Sequence, residues 1–142
     1  MEVEATTVIE RPVATVWDFY AVHQVQNHPR WDPDMSLEQV TNGPIGVGTV
    51  IRRRSTRFGQ AVEGTMEVVE FDPERAMGVK IRDGQTEMIG RATFTVEDQD
   101  RTRLTMHVNL PGADASMAEK LAPLVQRSAD TIKRLIESES AG

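Results

Sequence analysis

Between Thr49 and Leu110 the chain is a succession of alternating apolar and polar runs with only short punctuation between them. The runs are Thr49–Arg57, Gln60–Phe71, Arg75–Arg82, Thr86–Glu97 and Arg101–Leu110, and their period is that of half-buried strands. The breaks are Phe58-Gly59, Asp72-Pro73-Glu74, Asp83-Gly84 and Asp98-Gln99-Asp100. A parallel crossover takes a dozen or more residues, so connections this short join antiparallel neighbours. The result is a meander. Two of its runs are about a dozen residues long, which favours a strongly twisted, curved sheet.

The flanks add helices. Val3, Ala5, Thr7 and Ile9 alternate with polar residues as a first strand, and Arg11-Pro12 ends it. Pro12 suits the first position of a helix carrying Val13, Val16, Trp17 and Tyr20 to about Val22. Val25–His28 adds a second short turn, which Pro29 is expected to stop. Ser36–Thr41 reads as a strand and Asn42–Gly46 as the turn after it. Beyond Pro111-Gly112 one long helix closes the chain, with Ser116 and Glu119 as its expected capping box. Met117, Leu121, Leu124, Val125, Ser128, Ile132, Leu135 and Ile136 form its apolar stripe. Pro123 is expected to kink it. About 22 helical residues span roughly 33 Å, enough to lie across a curved sheet.

Composition narrows the function classes. A length of 142 residues implies a single domain, 1–142. The net charge of −6 argues against backbone-driven nucleic-acid binding. With no cysteine there is no disulfide, thiolate nucleophile or cysteine-held metal. No stretch approaches the length of a membrane span, and Met1–Glu10 does not read as a signal peptide. A soluble, cytoplasmic protein, monomer or homodimer, is the expectation.

Four local patterns in this order resemble the START-like (SRPBCC) superfamily, and within it the bacterial polyketide cyclase/dehydrase and lipid-transport family. Ile9–Trp17 resembles that family's strand-to-helix entry, and His28–Asp34 its tryptophan-and-proline turn. Gly46-Val47-Gly48-Thr49 with Val68–Pro73 resembles its glycine-threonine strand start and its Val-x-Glu-x-Asp-Pro hairpin. Thr102–Thr105 resembles the opening of its last strand, although Asp100-Arg101-Thr102 stands where the family often has Gly-Gly-Thr. The resemblance implies an α+β helix-grip fold: a curved seven-stranded antiparallel sheet, two short helices, and a long C-terminal helix across the concave face. It also implies an apolar cavity between sheet and helix.

Alternation then assigns a lining to that cavity. Leu104, Met106, Val108 and Leu110 should face inward, with Met88, Ala92, Phe94 and Val96 beside them. Val62, Gly64, Met66 and Val68 continue the face, as do Met77, Val79 and Ile81. The helix would add Met117, Leu121 and Leu124, and Trp31 is placed to line the entrance or stack on a ring. Methionine at Met66, Met77, Met88, Met106 and Met117 suits a pocket that adapts to apolar ligands, and equally suits a solid core.

Candidate chemistry is sparse. Of Arg52, Arg53 and Arg54, the register with Ile51, Arg53 and Ser55 inward buries one guanidinium instead of two, the cheaper choice. Arg53 is thus the candidate for a fixed positive charge, gripping a carboxylate or stabilising an enolate. Tyr20 is placed to offer a phenol as proton donor or ligand anchor. His28, Asp32 and Asp34, with His23 upstream, match no zinc spacing, so no metal is expected. His107 should point outward, and Glu63 and Glu67 are out of phase with the inner face. Gly46-x-Gly48 is not a dinucleotide fingerprint, there is no Gly-x-Ser-x-Gly elbow, and no cofactor is expected.

Three readings follow. The first is binding, and by extension carrying, of a small hydrophobic metabolite such as a lipid, polyketide or aromatic compound. The second is a polyketide aromatase/cyclase or dehydratase using Arg53 and Tyr20. The third is a protein-interaction module with a filled core, for which outward Val69 and the Phe58-Gly59 turn are the support.

Overall fold

A computed structural model describes residues 2–57 and 59–139 of the chain. In order they form β1 (Glu2–Ile9), α1 (Val13–Trp17), a π-helical turn (Asp18–Val22), α2 (Gln24–Trp31), β2 (Met35–Gln39), β3 (Val50–Arg57), β4 (Gln60–Asp72), β5 (Ala76–Asp83), β6 (Thr86–Asp98), β7 (Arg101–Asn109) and α3 (Ala115–Glu139). The seven strands make one antiparallel sheet in the order β1-β7-β6-β5-β4-β3-β2. The meander read from the sequence is therefore intact, and β1 returns to pair with β7 along its whole length. Phe58, in one of the expected turns, lies outside the described residues.

This is the helix-grip architecture: a curved sheet, two short helices, and a long helix packed over it. β4 and β6 are each 13 residues long. A bulge between Val68 and Glu70 breaks the alternation of β4. It leaves Val69 exposed and turns Phe71 to the same face as Met66 and Val68, where it meets the edge of Trp17.

Three local expectations are corrected. Pro12 is the N-cap of α1 rather than its first helical residue. The helix then widens into a π turn in which the His23 amide donates to the Asp18 carbonyl. Such turns carry no hydrophobic period of their own, so the pattern gave no warning. The displaced carbonyls are not left bare: the side-chain amides of Asn27 and Gln24 donate to Phe19 and Tyr20. Pro29 does not stop the second helix, which runs on to a buried Trp31. Proline removes one intrahelical bond there, and the helix continues past it to bury the Trp31 ring. Finally, α3 is capped by Asp114, whose carboxylate accepts from the Met117 amide at 3.0 Å, and not by the Ser116/Glu119 pair.

The core lies between α3 and the sheet. Ile132 and Ile136 join Ile9, Val16, Trp17, Trp31, Val68, Met77, Phe94 and Leu104 in one cluster. Val125 and Ala129 pack with Val3 and Ala5 in a second. One flank of α3 is also tied to the sheet edge. Gln126 and Lys133 donate to the outward carbonyls of Thr6 and Val8, and Glu137 accepts from the Glu10 amide.

Candidate functional site

Cross-strand register sets the inner face row by row. Leu37, Arg53, Gly64 and Asp83 stand side by side across β2–β5. Gln39, Ile51, Met66, Ile81 and Met88 form the next row. Val68, Val79, Gly90 and Val108 form the one after, then Met77, Ala92 and Met106. Ile51, Met66, Val68, Met77, Met88, Ala92, Phe94 and Leu104 are buried. Val62, Val79, Ile81, Met106 and Val108 on the same face are only half-buried, and Val96 is exposed.

The facing helix explains the difference. Val125, Ala129, Ile132 and Ile136 are its buried line. Gln126 and Lys133 mark the flank over β1, so the opposite flank of the 3.6-residue wheel holds Met117, Leu124 and Leu135. Leu135 packs into the core, but Met117 and Leu124 are 39% and 44% exposed. These two, expected among the inward lining residues, are therefore exposed on that flank and not part of the buried line. Leu121, between them, is half-buried against the smaller cluster.

At the other end of this face lies the chain's one cluster of inward polar groups among the described residues. Arg53 and Asp83 are an ion pair with Nε and Oδ1 3.0 Å apart and side chains 5% and 1% exposed. Arg52 and Arg54 point the other way, to Glu38 and Glu63 on the surface. The register with one buried guanidinium is the one adopted. Arg53 is the buried positive charge on this face, and a carboxylate accompanies it. Gly64 lies between the two, paired with Arg53 on one side and Asp83 on the other. A Cβ there would fall 2.3 Å from Asp83 Oδ1 and 2.2 Å from the Arg82 carbonyl, so only glycine lets the pair close across β4. Two residues from Arg53, Ser55 is 6% exposed and its hydroxyl has no hydrogen-bond partner among the described residues.

Above this row the short helices add an aromatic group. Trp31 stacks on Tyr20 at 5.3 Å and on His28 at 5.0 Å, and Tyr20 meets the edge of Phe94. Burial pushes the Tyr20 phenol up to about 12, so near neutral pH it is a weak acid. Burial, with the Arg53 charge adding to it, holds His28 down at about 3, so its imidazole is neutral. His28 Nδ1 lies 2.6 Å from Gln24 Oε1, and Asp32 is 3.9 Å from Nε2.

The sequence reading found Arg53, Tyr20 and Trp31 but missed Asp83, Gln24 and His28 as members of this cluster. Asp83 was hidden by its place beside Gly84. The signal that finds it is Gly64, a gap in the row where a buried arginine needs a partner. Gln24 and His28 are four residues apart, one helical face, with Trp31 a turn on. His107 is half-buried between the exposed carboxylates of Glu2 and Glu4, at 3.4 and 3.3 Å.

Comparison with known proteins agrees with this fold. Over residues 1–137 the chain matches the family described as polyketide cyclase / dehydrase and lipid transport. No curated protein matches it in sequence. Among solved structures it is similar to TTHA0849 from Thermus thermophilus (19% identity, TM-score 0.79, covering 99% of this chain and 100% of that one). It is also similar to a START superfamily protein from Mycobacterium smegmatis (13%, 0.79, 96% and 97%). A third is the Zhui aromatase/cyclase of a Streptomyces species (17%, 0.75, 100% and 98%). At these identities the likeness is one of fold.

Proposed function

The chain belongs to the polyketide cyclase/dehydrase and lipid-transport family, and from that premise we propose that it binds, and by extension carries, a small hydrophobic metabolite between the sheet and α3. The helix-grip fold is consistent with such a cavity. The observation that carries the reading is the unfinished apolar contact: half-buried Val79, Ile81 and Val108 on the sheet, with exposed Met117 and Leu124 on the flank of α3 that looks over it. Apolar side chains left open on facing elements gain by taking an apolar guest, at about 25 cal/mol for each Å² removed from water. Ile51, Met66, Val68, Met77, Met88, Phe94, Met106 and Leu121 would form its floor and walls, with Trp31 and Arg53 at the polar end.

Catalysis of cyclisation or dehydration is the weaker reading. Arg53 and Tyr20 are both near the cluster, which supports it. But the Arg53 charge is offset by Asp83, and a phenol raised to about 12 is a poor proton donor.

The test is native mass spectrometry of freshly purified protein, followed by organic extraction and titration with the neutral dye Nile red. A co-purifying small molecule, or saturable dye binding weakened by Leu124→Glu, is the expected result. A clean apo mass with no dye binding would overturn the proposal.

A further inference from the structure

Resting on the pocket reading, we infer that residues 115–124 of α3 are a lid on that pocket, pivoting at Pro123, which lifts to pass the ligand while the rest of the helix stays docked. Burial divides the helix in two. No residue from 115 to 124 is buried, whereas Val125, Ala129, Ile132 and Ile136 are buried at helical spacing after it. Ala118 and Leu121 rest half-buried on the smaller cluster, against which Met106 and Val108 of β7 also pack. The side-chain bonds that tie α3 to β1 involve Gln126, Lys133 and Glu137, all beyond the division.

The backbone is weakest at the same place. Pro123 has no amide hydrogen, so the Glu119 carbonyl lacks its α-helical donor, and the proline ring crowds that carbonyl. The helix is thus one bond short just before its burial begins. A second joint lies at the other end of the segment. Leu110 is buried, and between it and the Asp114 cap Gly112 takes a φ of +80°, in a turn where the Ala113 amide donates to the Leu110 carbonyl. Glycine adopts that φ freely, and no atom lies within 4 Å of where a side chain would start, so the joint has room to turn. The helical segment between the two joints is about 15 Å long. It can move as a unit by giving up the contacts of Ala118 and Leu121, and the finished core around Ile132 and Ile136 stays untouched. Met117 and Leu124 are exposed on this unit, so its closing brings apolar side chains to a guest.

Two measurements on the full-length protein test this. In native-state hydrogen exchange, amides between 119 and 124 are expected to exchange about a hundredfold faster than those between 129 and 136, and to slow about tenfold when Nile red saturates the pocket. In stopped flow, Pro123→Ala returns the missing bond and should slow dye entry and dye release alike, each about fivefold, with affinity changed less than about twofold. A helix end that merely frays would also exchange early, but its dye rates would not follow Pro123. Uniform exchange along α3, exchange indifferent to the dye, dye rates unchanged in Pro123→Ala, or slower release without slower entry would each overturn the lid and leave the pocket standing. If the wild type does not bind the dye at all, the pocket reading falls, and the lid with it.

Discussion

The two halves of the interface between α3 and the sheet are built from the same residue types and end in different states. Under the second half, Ile132 and Ile136 are 0% and 1% exposed against Ile9, Leu104 and Trp17. Over the first half, Met117 and Leu124 on the neighbouring flank remain open, and Val79, Ile81 and Val108 below are half-buried. One half is a finished core, with α1, the π turn and α2 filling the space beside the helix. Beside the other half, on the side of the smaller cluster, the described residues supply no third element that packs against Met117 and Leu124, which stay exposed. Apolar sequence marks what can be buried, and the number of layers present decides what is.

The polar cluster gives the largest break in that comparison. Asp83→Asn leaves Arg53 buried without its carboxylate and should cost about 3–5 kcal/mol in urea unfolding. The double change Arg53→Met with Asp83→Leu should recover most of that loss, because two apolar groups replace two charges. A double variant no more stable than Asp83→Asn would show that the pair does more than balance charge.

Next in size is the helix itself. Ile132→Ala should destabilise by about 2–5 kcal/mol, as cavities in closed cores do. Leu124→Ala should fall within about 0.5 kcal/mol. Similar costs at the two positions would mean the first half is as closed as the second.

Acid sharpens the contrast further. His28 is neutral in the folded chain down to about 3, while an unfolded histidine takes up a proton at about 6.5. Between those values the unfolded state binds more protons, so the stability due to neutral His28 is present above 6.5 and is lost as pH falls. The slope is about 1.4 kcal/mol per pH unit from this one group. Arg53, Asp83 and Asp32 face it and contribute their own terms, so the measurement is the difference in slope between the wild type and His28→Phe. Parallel slopes would place His28 in contact with solvent. The smallest expected effect is at the start of α3, where Asp114→Ala should cost about 1 kcal/mol through loss of the cap.

Legibility in the sequence followed the physics of each feature. The strands were readable because a period of two and short punctuation leave one topology. Arg53 was readable because burying one guanidinium costs less than burying two. Its partner was not, since an aspartate before a glycine is also what a turn requires. The π turn had no signature because it differs from an α turn in its backbone bonds rather than in its side-chain pattern. For α3, the stripe Met117–Ile136 identified the apolar face, but how far the sheet reaches beneath it is a tertiary fact. The chemistry at His28 depended on Gln24, Tyr20 and Arg53 meeting in space, which spacing alone does not fix.

The ties between α3 and β1 matter for more than the docking of the helix. β1 is a sheet edge, and the carbonyls of Thr6 and Val8 point away from β7, where an arriving strand from another copy would bond. Gln126 and Lys133 already occupy them, and Glu137 holds the Glu10 amide. The opposite edge, β2, is five residues long with Ser36 and Glu38 exposed. Strand-by-strand polymerisation is therefore obstructed at both ends of the sheet, by bonded side chains on one side and by brevity on the other. A chain with Met117 and Leu124 exposed beside its core is thereby kept from extending its sheet into that of a neighbour.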